Sequence, residues 1–277
     1  MKKITGKELQ YFEEYLRQEE KSSATVEKYL RDLRKFLDFL GTRELSKVAV
    51  MEYKAFLLES NYAAKSINSM LASLNSFLGF WGRMDCKAKA IRLQKCSYMD
   101  EEKELTKAEY LRLLEAAKEN HRLYLAIQAI CSTGIRVSEL RFFTVENLKK
   151  GRIVVNCKGK IRRILLPGKL RKLLLDYAKR KKIHTGAILL GKSGKPLDRR
   201  YIWAKMKKLC RKARVNSKKV FPHNLRKLFA KCFYKIDKDI AKLADLLGHS
   251  SIETTRIYIM TTDREHRRKI EHLGLLI

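Results

Sequence analysis

Apolar residues recur every three or four positions through most of the chain, and this spacing is typical of amphipathic helices. In the first hundred residues the pattern predicts four helices, at about 5–16, 23–40, 47–60 and 64–81. Thr5 and Glu8 form a capping-box pattern at the start of the first helix, and Gly41 follows the second. We therefore predict a small helical bundle for residues 1–83.

Residues 84–104 interrupt this periodicity, because basic and small residues alternate there and an acidic run follows them. We interpret this segment as an interdomain linker. Thr106 and Glu109 form a second capping-box pattern, which predicts that a second domain covers residues 105–277.

Within the second domain the helical spacing of apolar residues ends at Arg152, and two runs of β-branched residues then flank Gly159. This pattern predicts a β-hairpin over about 152–166, and a short strand near Ile188 is a candidate to join it. The other predicted elements are helices, at about 106–118, 121–132, 136–142, 168–182, 198–213, 223–235, 237–247, 251–259 and 264–273. The predicted fold class is therefore mainly α with a small β-sheet (α+β).

The charge of the chain is strongly positive and unevenly distributed. The formal net charge is +32; residues 1–100 hold 18 Lys and Arg against 13 Asp and Glu, and residues 101–277 hold 44 against 17. Such a field attracts polyanions, and we expect nucleic acid as the partner. An anionic membrane surface fits less well, because the charges lie between apolar residues of a folded domain rather than in a terminal basic tract.

Other global features exclude several classes of protein. The sequence contains no apolar run long enough to span a membrane and no signal-peptide pattern, so we expect a cytoplasmic protein. None of the six cysteines lies in a C-x-x-C pair or at zinc-finger spacing from a histidine. We predict buried free thiols and no metal site.

Candidate chemistry begins with two cations. Arg136 follows Gly134 at the junction of two predicted helices, where a backbone can approach an anion closely. The alternative for Arg136 is a surface ion pair with Glu139, three residues later. Lys158 lies at the tip of the predicted hairpin, where it either inserts into a DNA groove or is only a solvated charge.

Further candidates lie near the C-terminus. His223 and Arg226 are three residues apart at a helix start, so a group that titrates near neutral pH shares a face with a bidentate phosphate ligand. His249 lies in the tight turn between two helices, and Tyr258 lies two turns into the second. A tyrosine at such a position normally packs in a core.

Together these residues resemble the signature motifs of the tyrosine recombinases, the phage integrase family. The segments are Thr133–Leu140, His223-x-x-Arg226, Leu247–Ser250 and Tyr258, in the family's order and with a fitting interval from His249 to Tyr258. Lys158 matches the position of the family's catalytic lysine, although Lys160 lies on the same turn. The family often has histidine where this chain has Lys227.

The resemblance implies an N-terminal helical core-binding (SAM-like) domain and a C-terminal catalytic domain that form a C-shaped clamp on double-stranded DNA. It implies that Tyr258 attacks a phosphodiester and forms a 3′-phosphotyrosyl intermediate. It further implies that Arg136 and Arg226 clamp the non-bridging oxygens and that Lys158 protonates the departing 5′-oxygen.

The remaining roles are implied in the same way. His223 assists proton transfer from the tyrosine, His249 hydrogen-bonds the phosphate, and Glu139 supports the site around Arg136. No metal ion, nucleotide or other cofactor is expected, because the arginines neutralise charge and the tyrosyl link retains the phosphodiester energy.

The resulting expectation is a site-specific recombinase, Xer-like or a short integrase of a mobile element, that acts as a homotetramer with a possible accessory directionality protein. The helix after Tyr258 either packs into a neighbouring protomer or folds back on its own domain. One alternative is a type IB topoisomerase-like relaxing enzyme, which requires no paired sites. The other is a catalytically silent DNA-binding protein, which the complete set of candidate residues disfavours.

Overall fold

The computed structural model describes residues 6–93, 101–157, 160–191, 193–260 and 270–273. The chain divides into two compact units, Met1–Lys95 and Cys96–Ile277. Helices dominate both units, which confirms the predicted fold class. None of the described helices is both long enough and apolar enough to cross a membrane.

The first unit is a four-helix bundle, as the apolar periodicity predicts. Its helices are α1 (Gly6–Gln18), α2 (Ser23–Leu40), α3 (Lys47–Glu59) and α4 (Ala64–Phe80). Serine side chains cap two of them, since Ser22 accepts the N–H of Thr25 and Ser46 accepts that of Ala49. The buried core is largely aromatic and aliphatic, and it includes Phe12, Leu33, Phe36, Tyr53 and Phe77. Thr5 of the predicted capping box lies outside the described residues.

Residues 84–91, which we assigned to the linker, pack against the first unit instead. Cys86 and Ala88 are buried in its core. The Asn75 side chain accepts the Ala88 N–H at 2.9 Å and donates to the Ala88 carbonyl at 2.8 Å. Asn68 brackets Ile91 in the same way, at 2.7 and 2.9 Å. Asn68 and Asn75 of α4 thus bond the backbone of this extended segment as a neighbouring β-strand would, and composition alone does not reveal that role.

The second unit packs helices around a short β-hairpin. Its helices are α5 (Lys107–Ala117), α6 (His121–Thr133), α7 (Val145–Lys149), α8 (Gly168–Arg180), α9 (Arg199–Ala213), α10 (Pro222–Asp237), α11 (Ile240–Leu247) and α12 (Ile252–Ile259), and its strands are β1 (Ile153–Cys157) and β2 (Lys160–Ile164). The capping box of Thr106 and Glu109 is present at the start of α5, as predicted. Most of the helix predicted at 264–273 lies outside the described residues.

The hairpin prediction is confirmed, with antiparallel pairs from Ile153 opposite Ile164 to Cys157 opposite Lys160. The third strand is wrong within the described part of the sheet, which has two strands. Ala187 and Leu190 form only isolated bridges, with Thr144 and Pro196. The backbone there pairs with the adjacent loops, so its apolar side chains reach the core without joining the hairpin.

Candidate active site

The turn after α6 places the first arginine. Gly134 ends α6 with φ +63°, and a Cβ atom at this position would lie 2.3 Å from the Phe229 ring. Only glycine fits, because the left-handed conformation and the close packing both exclude a side chain. Arg136 follows two residues later, as the residue that precedes a 3₁₀-helix over Val137–Phe142.

The helix predicted at 136–142 is present, and it is a 3₁₀-helix rather than an α-helix. The backbone bonds run from Glu139 N–H to the Arg136 carbonyl and from Phe143 N–H to the Leu140 carbonyl, each three residues back. The Glu139 carboxylate also accepts the Arg136 N–H at 2.7 Å. This reciprocal cap tightens the segment into a short turn that holds Arg136 at its edge.

Glu139 is the buried acceptor at the centre of the site, with 1% of its surface exposed. It accepts from the Arg162 guanidinium at 2.5 Å and more loosely from the Arg136 Nη1 at 3.4 Å. The Arg136 Nη2 donates to the Gly248 carbonyl at 3.2 Å. The Arg136 side chain remains 42% exposed, and these contacts leave several of its five N–H groups available for an anion.

Arg226 is almost completely buried at the centre of the site, with 2% of its surface exposed. It donates to the Gly134 carbonyl at 2.5 Å and, through Nη2, to the Leu247 carbonyl at 2.7 Å and to His249 Nε2 at 2.9 Å. These partners are neutral acceptors rather than a carboxylate. Burial and the nearby Arg136 lower the pKa of Arg226 to about 10, so it remains charged at pH 7.

His249 lies in the turn between α11 and α12, where Gly248 ends α11 with φ +63°. Because a guanidinium can only donate, the contact with Arg226 makes His249 Nε2 an acceptor. The proton of a neutral ring then lies on Nδ1, which is 2.8 Å from the Thr255 hydroxyl. Thr255 is fully buried and holds the orientation of the His249 ring, while the contact with Arg226 sets its tautomer.

Tyr258 lies between the two histidines. Its ring meets those of His223 and His249 edge to face, with centroid separations of 5.1 and 5.0 Å. Tyr258 is 6% exposed and also packs in a small core of α10, α11 and α12. The packing role expected of such a tyrosine therefore coexists with a position beside two imidazoles.

Both imidazoles are held in the neutral form. Burial and the cations Lys227 and Arg226 lower the pKa of His223 to about 4, although part of its side chain reaches the surface. Burial and the arginines at 226 and 136 lower the pKa of His249 to about 4. At neutral pH the site therefore combines permanent guanidinium charges with two uncharged rings that can accept protons.

The structure brings two hydrogen-bonded pairs, Arg136 with Glu139 and Arg226 with His249, to adjacent carbonyls of the turn after α11, and His223 lies beside them through Tyr258. Lys158 lies outside the described residues, and the Lys160 side chain does too. The described strands end at Cys157 and begin again at Lys160, whose backbones are paired.

Sequence reasoning missed two residues of the site, Arg162 and Thr255. Arg162 occupies the same face of β2 as the buried Ile164, and a charged residue at an inward-facing strand position requires a partner. That alternation was the signal that could have revealed it. Thr255 has no comparable signal, because its role depends on how the α11–α12 turn folds back.

Comparisons with known proteins agree with this architecture. The phage integrase family model matches residues 103–265, and the model of the phage integrase N-terminal SAM-like domain matches residues 9–83. The chain is 31% identical to tyrosine recombinase XerA of Pyrococcus furiosus, over 99% of this chain and 96% of that protein. It is also 31% identical to tyrosine recombinase XerD of Staphylococcus aureus, over 92% of this chain and 95% of that protein.

The fold is also similar to that of lambda integrase in a tetramer bound to a Holliday junction. The TM-score is 0.72 at 18% identity, covering 93% of this chain and 77% of that one. A helical unit joined to a unit with two arginines, two histidines and a tyrosine at one site defines the class of enzyme. The chain belongs to the phage integrase family of tyrosine recombinases.

Proposed function

We propose that the protein is a site-specific DNA recombinase that cleaves and rejoins DNA strands through a covalent link to Tyr258. The observation that carries this proposal is the position of the Tyr258 ring between two neutral imidazoles, one of which is bonded to the buried Arg226. This arrangement combines a nucleophile, proton acceptors and a phosphate ligand at one site.

The two arginines bind the scissile phosphate. Arg226 is preorganised by three hydrogen bonds, and Arg136 is exposed at the rim of the site. The non-bridging oxygens gain negative charge as the tyrosine attacks, and guanidinium groups bind such oxygens in a bidentate manner. These residues therefore stabilise the transition state more than the resting phosphodiester.

Proton transfer requires a neutral base near the phenol and an acid near the leaving group. A phenol is ordinarily protonated at neutral pH, and the lowered pKa of His223 keeps its ring able to accept a proton. We assign the acid role to Lys158 on the hairpin, with Lys160 as the alternative on the same turn. We propose that His249 hydrogen-bonds the phosphate once the negative charge of DNA has raised its pKa, because Nε2 then carries a proton and donates it to the phosphate instead of accepting from Arg226.

The bonds exchanged in the reaction balance without an added cofactor. The Tyr258 oxygen forms a bond to phosphorus, the bond from phosphorus to the 5′-oxygen breaks, and the departing oxygen takes one proton. The free 5′-hydroxyl of a second strand then reverses these steps and releases Tyr258. One phosphodiester is exchanged for another, so rejoining requires no nucleotide hydrolysis.

Assembly on DNA follows from the need to exchange strands between two duplexes. We propose a homotetramer on paired DNA sites, and an accessory protein is a possible source of directionality. Lambda integrase is a tetramer on a Holliday junction in the similar structure. The net charge of +32 supports this assignment, because the excess cations can bind the backbones of the two duplexes.

The test begins by finding the DNA site. Fragmented DNA of the source organism is incubated with the protein, complexes that survive detergent are collected, and the attached fragments are sequenced. A nicked duplex of the recovered sequence then traps the covalent product. We expect the wild-type protein to attach in the presence of a chelator, and Tyr258→Phe to bind the duplex without attaching.

The matched control is Tyr234→Phe, which changes another partly buried tyrosine packed against the same small core. This variant should attach to DNA like the wild type. An adduct formed by Tyr258→Phe would show that another residue is the nucleophile, and a lack of any wild-type adduct would reject the recombinase assignment.

A further inference from the structure

We infer that Arg162 is a positioning residue of this active site, which joins the β-hairpin to Glu139 and to the turn that carries His249. The inference rests on the proposed function, because it concerns the geometry of the strand-cleaving site.

The strand geometry places Arg162 inside the unit. Arg162 lies opposite Val155 of β1, which is buried. Ile164, the next residue of β2 on the same face as Arg162, is buried as well. The Arg162 side chain is only 12% exposed. Arg163 is the next residue of β2, and it is exposed on the opposite face. The hairpin therefore directs one of two adjacent arginines inward.

The Arg162 guanidinium bridges two elements of the site. Its Nη2 donates to Glu139 Oε2 at 2.5 Å, and its Nη1 donates to the Leu246 carbonyl at 2.6 Å. Its aliphatic stem lies against Gly248, where an added Cβ would approach Cδ of Arg162 to 2.5 Å. A single side chain thus fixes the hairpin to the 3₁₀ segment and to the α11–α12 turn.

These contacts control Arg136 indirectly. Glu139 and the Gly248 carbonyl are the two acceptors of the Arg136 guanidinium, and Arg162 touches the residues that supply both. While Arg162 neutralises Glu139 at 2.5 Å, Arg136 remains at 3.4 Å and is available to an anion. Without Arg162, we expect the buried carboxylate to draw Arg136 inward, away from the phosphate.

Arg162 is not itself placed to bind the phosphate. Its charge is compensated inside the unit, because Nη2 pairs with the Glu139 carboxylate and Nη1 donates to the Leu246 carbonyl, whereas the acceptors of Arg226 are neutral. Lysine retains the charge but lacks the planar fork that reaches both acceptors at once. The role therefore depends on guanidinium geometry more than on charge.

The experiment compares Arg162→Ala and Arg162→Lys with the matched control Arg163→Ala, using the nicked duplex at saturating protein. We expect Arg162→Ala to slow formation of the adduct about 100-fold, the scale associated with small misplacement of catalytic groups. Arg162→Lys should recover part of this loss, and Arg163→Ala should cleave bound DNA at the wild-type rate.

A methylphosphonate at the scissile position separates positioning from general instability. This group lacks one charged non-bridging oxygen and so depends less on Arg136. The Arg162→Ala defect should shrink on this duplex, whereas a protein that is merely unstable is slowed equally on both substrates. An equal defect on both duplexes, or wild-type cleavage by Arg162→Ala, would overturn the inference.

The two proposals fail differently. If wild type and Arg163→Ala form the adduct and Arg162→Ala does so equally fast, only the role of Arg162 is rejected. If wild type forms no adduct with any duplex, the proposed function is rejected and this inference with it.

Discussion

Replacing Arg226 with methionine should abolish DNA cleavage while leaving the stability of the second unit almost unchanged. Methionine keeps much of the buried volume but removes the charge and the hydrogen bonds to the carbonyls of Gly134 and Leu247. Removing one partner of a buried ion pair usually destabilises a protein by about 3–5 kcal/mol, because the other charge is left uncompensated. Arg226 differs, because its hydrogen-bond partners among the described residues are two carbonyls and an imidazole.

The expected change in the free energy of unfolding comes from two opposing terms. The fall of the Arg226 pKa from 12.5 to about 10 means that the folded site disfavours the charged guanidinium by roughly 3 kcal/mol. Methionine removes this penalty, but the Gly134 and Leu247 carbonyls and the His249 ring lose three hydrogen bonds worth about 1 kcal/mol each. The terms nearly cancel, so we expect Arg226→Met to unfold within about 1 kcal/mol of wild type.

Urea unfolding measures this difference, and the two tryptophans separate the units, because Trp81 belongs to the first and Trp203 to the second. The matched control is Arg171→Met. Arg171 donates to the carbonyls of Leu148 and Lys149 at 2.7 and 2.8 Å, outside the active site. The control should lose some stability and keep full cleavage. A loss of 3 kcal/mol or more in Arg226→Met would show that Arg226 is a net stabiliser and would refute the reasoning.

Two further predictions concern the histidines. Thr255→Val removes the hydroxyl beside His249 Nδ1, so it should lower the free energy of unfolding by about 1–2 kcal/mol and slow cleavage about tenfold. Thr255→Ser and the exposed control Thr254→Val should behave nearly as wild type. Normal cleavage by Thr255→Val would show that Thr255 does not orient His249 for the reaction. The negative charge of DNA phosphate should raise the pKa values of His223 and His249 from about 4, so formation of the complex takes up protons. The Kd for DNA at fixed salt should therefore fall as the pH decreases from 7.5 to 5.5. The measurement uses Tyr258→Phe and fluorescence anisotropy, and a Kd that is independent of pH would contradict it.

Much of the fold could be predicted from the sequence because the signals are local. Apolar periodicity located α2 to α4, and the capping box of Thr106 located the start of α5. The hairpin followed from β-branched runs around a glycine. These features depend on residues within about one element of each other, so a single chain is enough to predict them.

The parts that could not be predicted depend on distant residues. The segment after Arg136 is a 3₁₀-helix because the Glu139 side chain caps it while Arg162, from another element, holds that carboxylate. Ile188 fills the core without joining the hairpin because its backbone pairs with Phe143. The order of the sequence motifs indicated which residues belong to the site, but the contacts that orient them arise only when the elements pack.

The charges of the described site favour a reacting phosphate over a resting one. Glu139 neutralises one of the guanidiniums at positions 136, 162 and 226, and the two imidazoles are neutral, so the three arginines keep two positive charges, to which the field of Lys227 adds. A phosphodiester carries one negative charge, and attack by the tyrosine oxygen adds a second in the transition state. Burial, and after it the neighbouring Arg136, lower the pKa of Arg226, so the site disfavours this charge until an anion binds. DNA binding supplies part of the missing negative charge, and the transition state places more of it on the oxygens that the arginines bind, which is the differential stabilisation that catalysis requires.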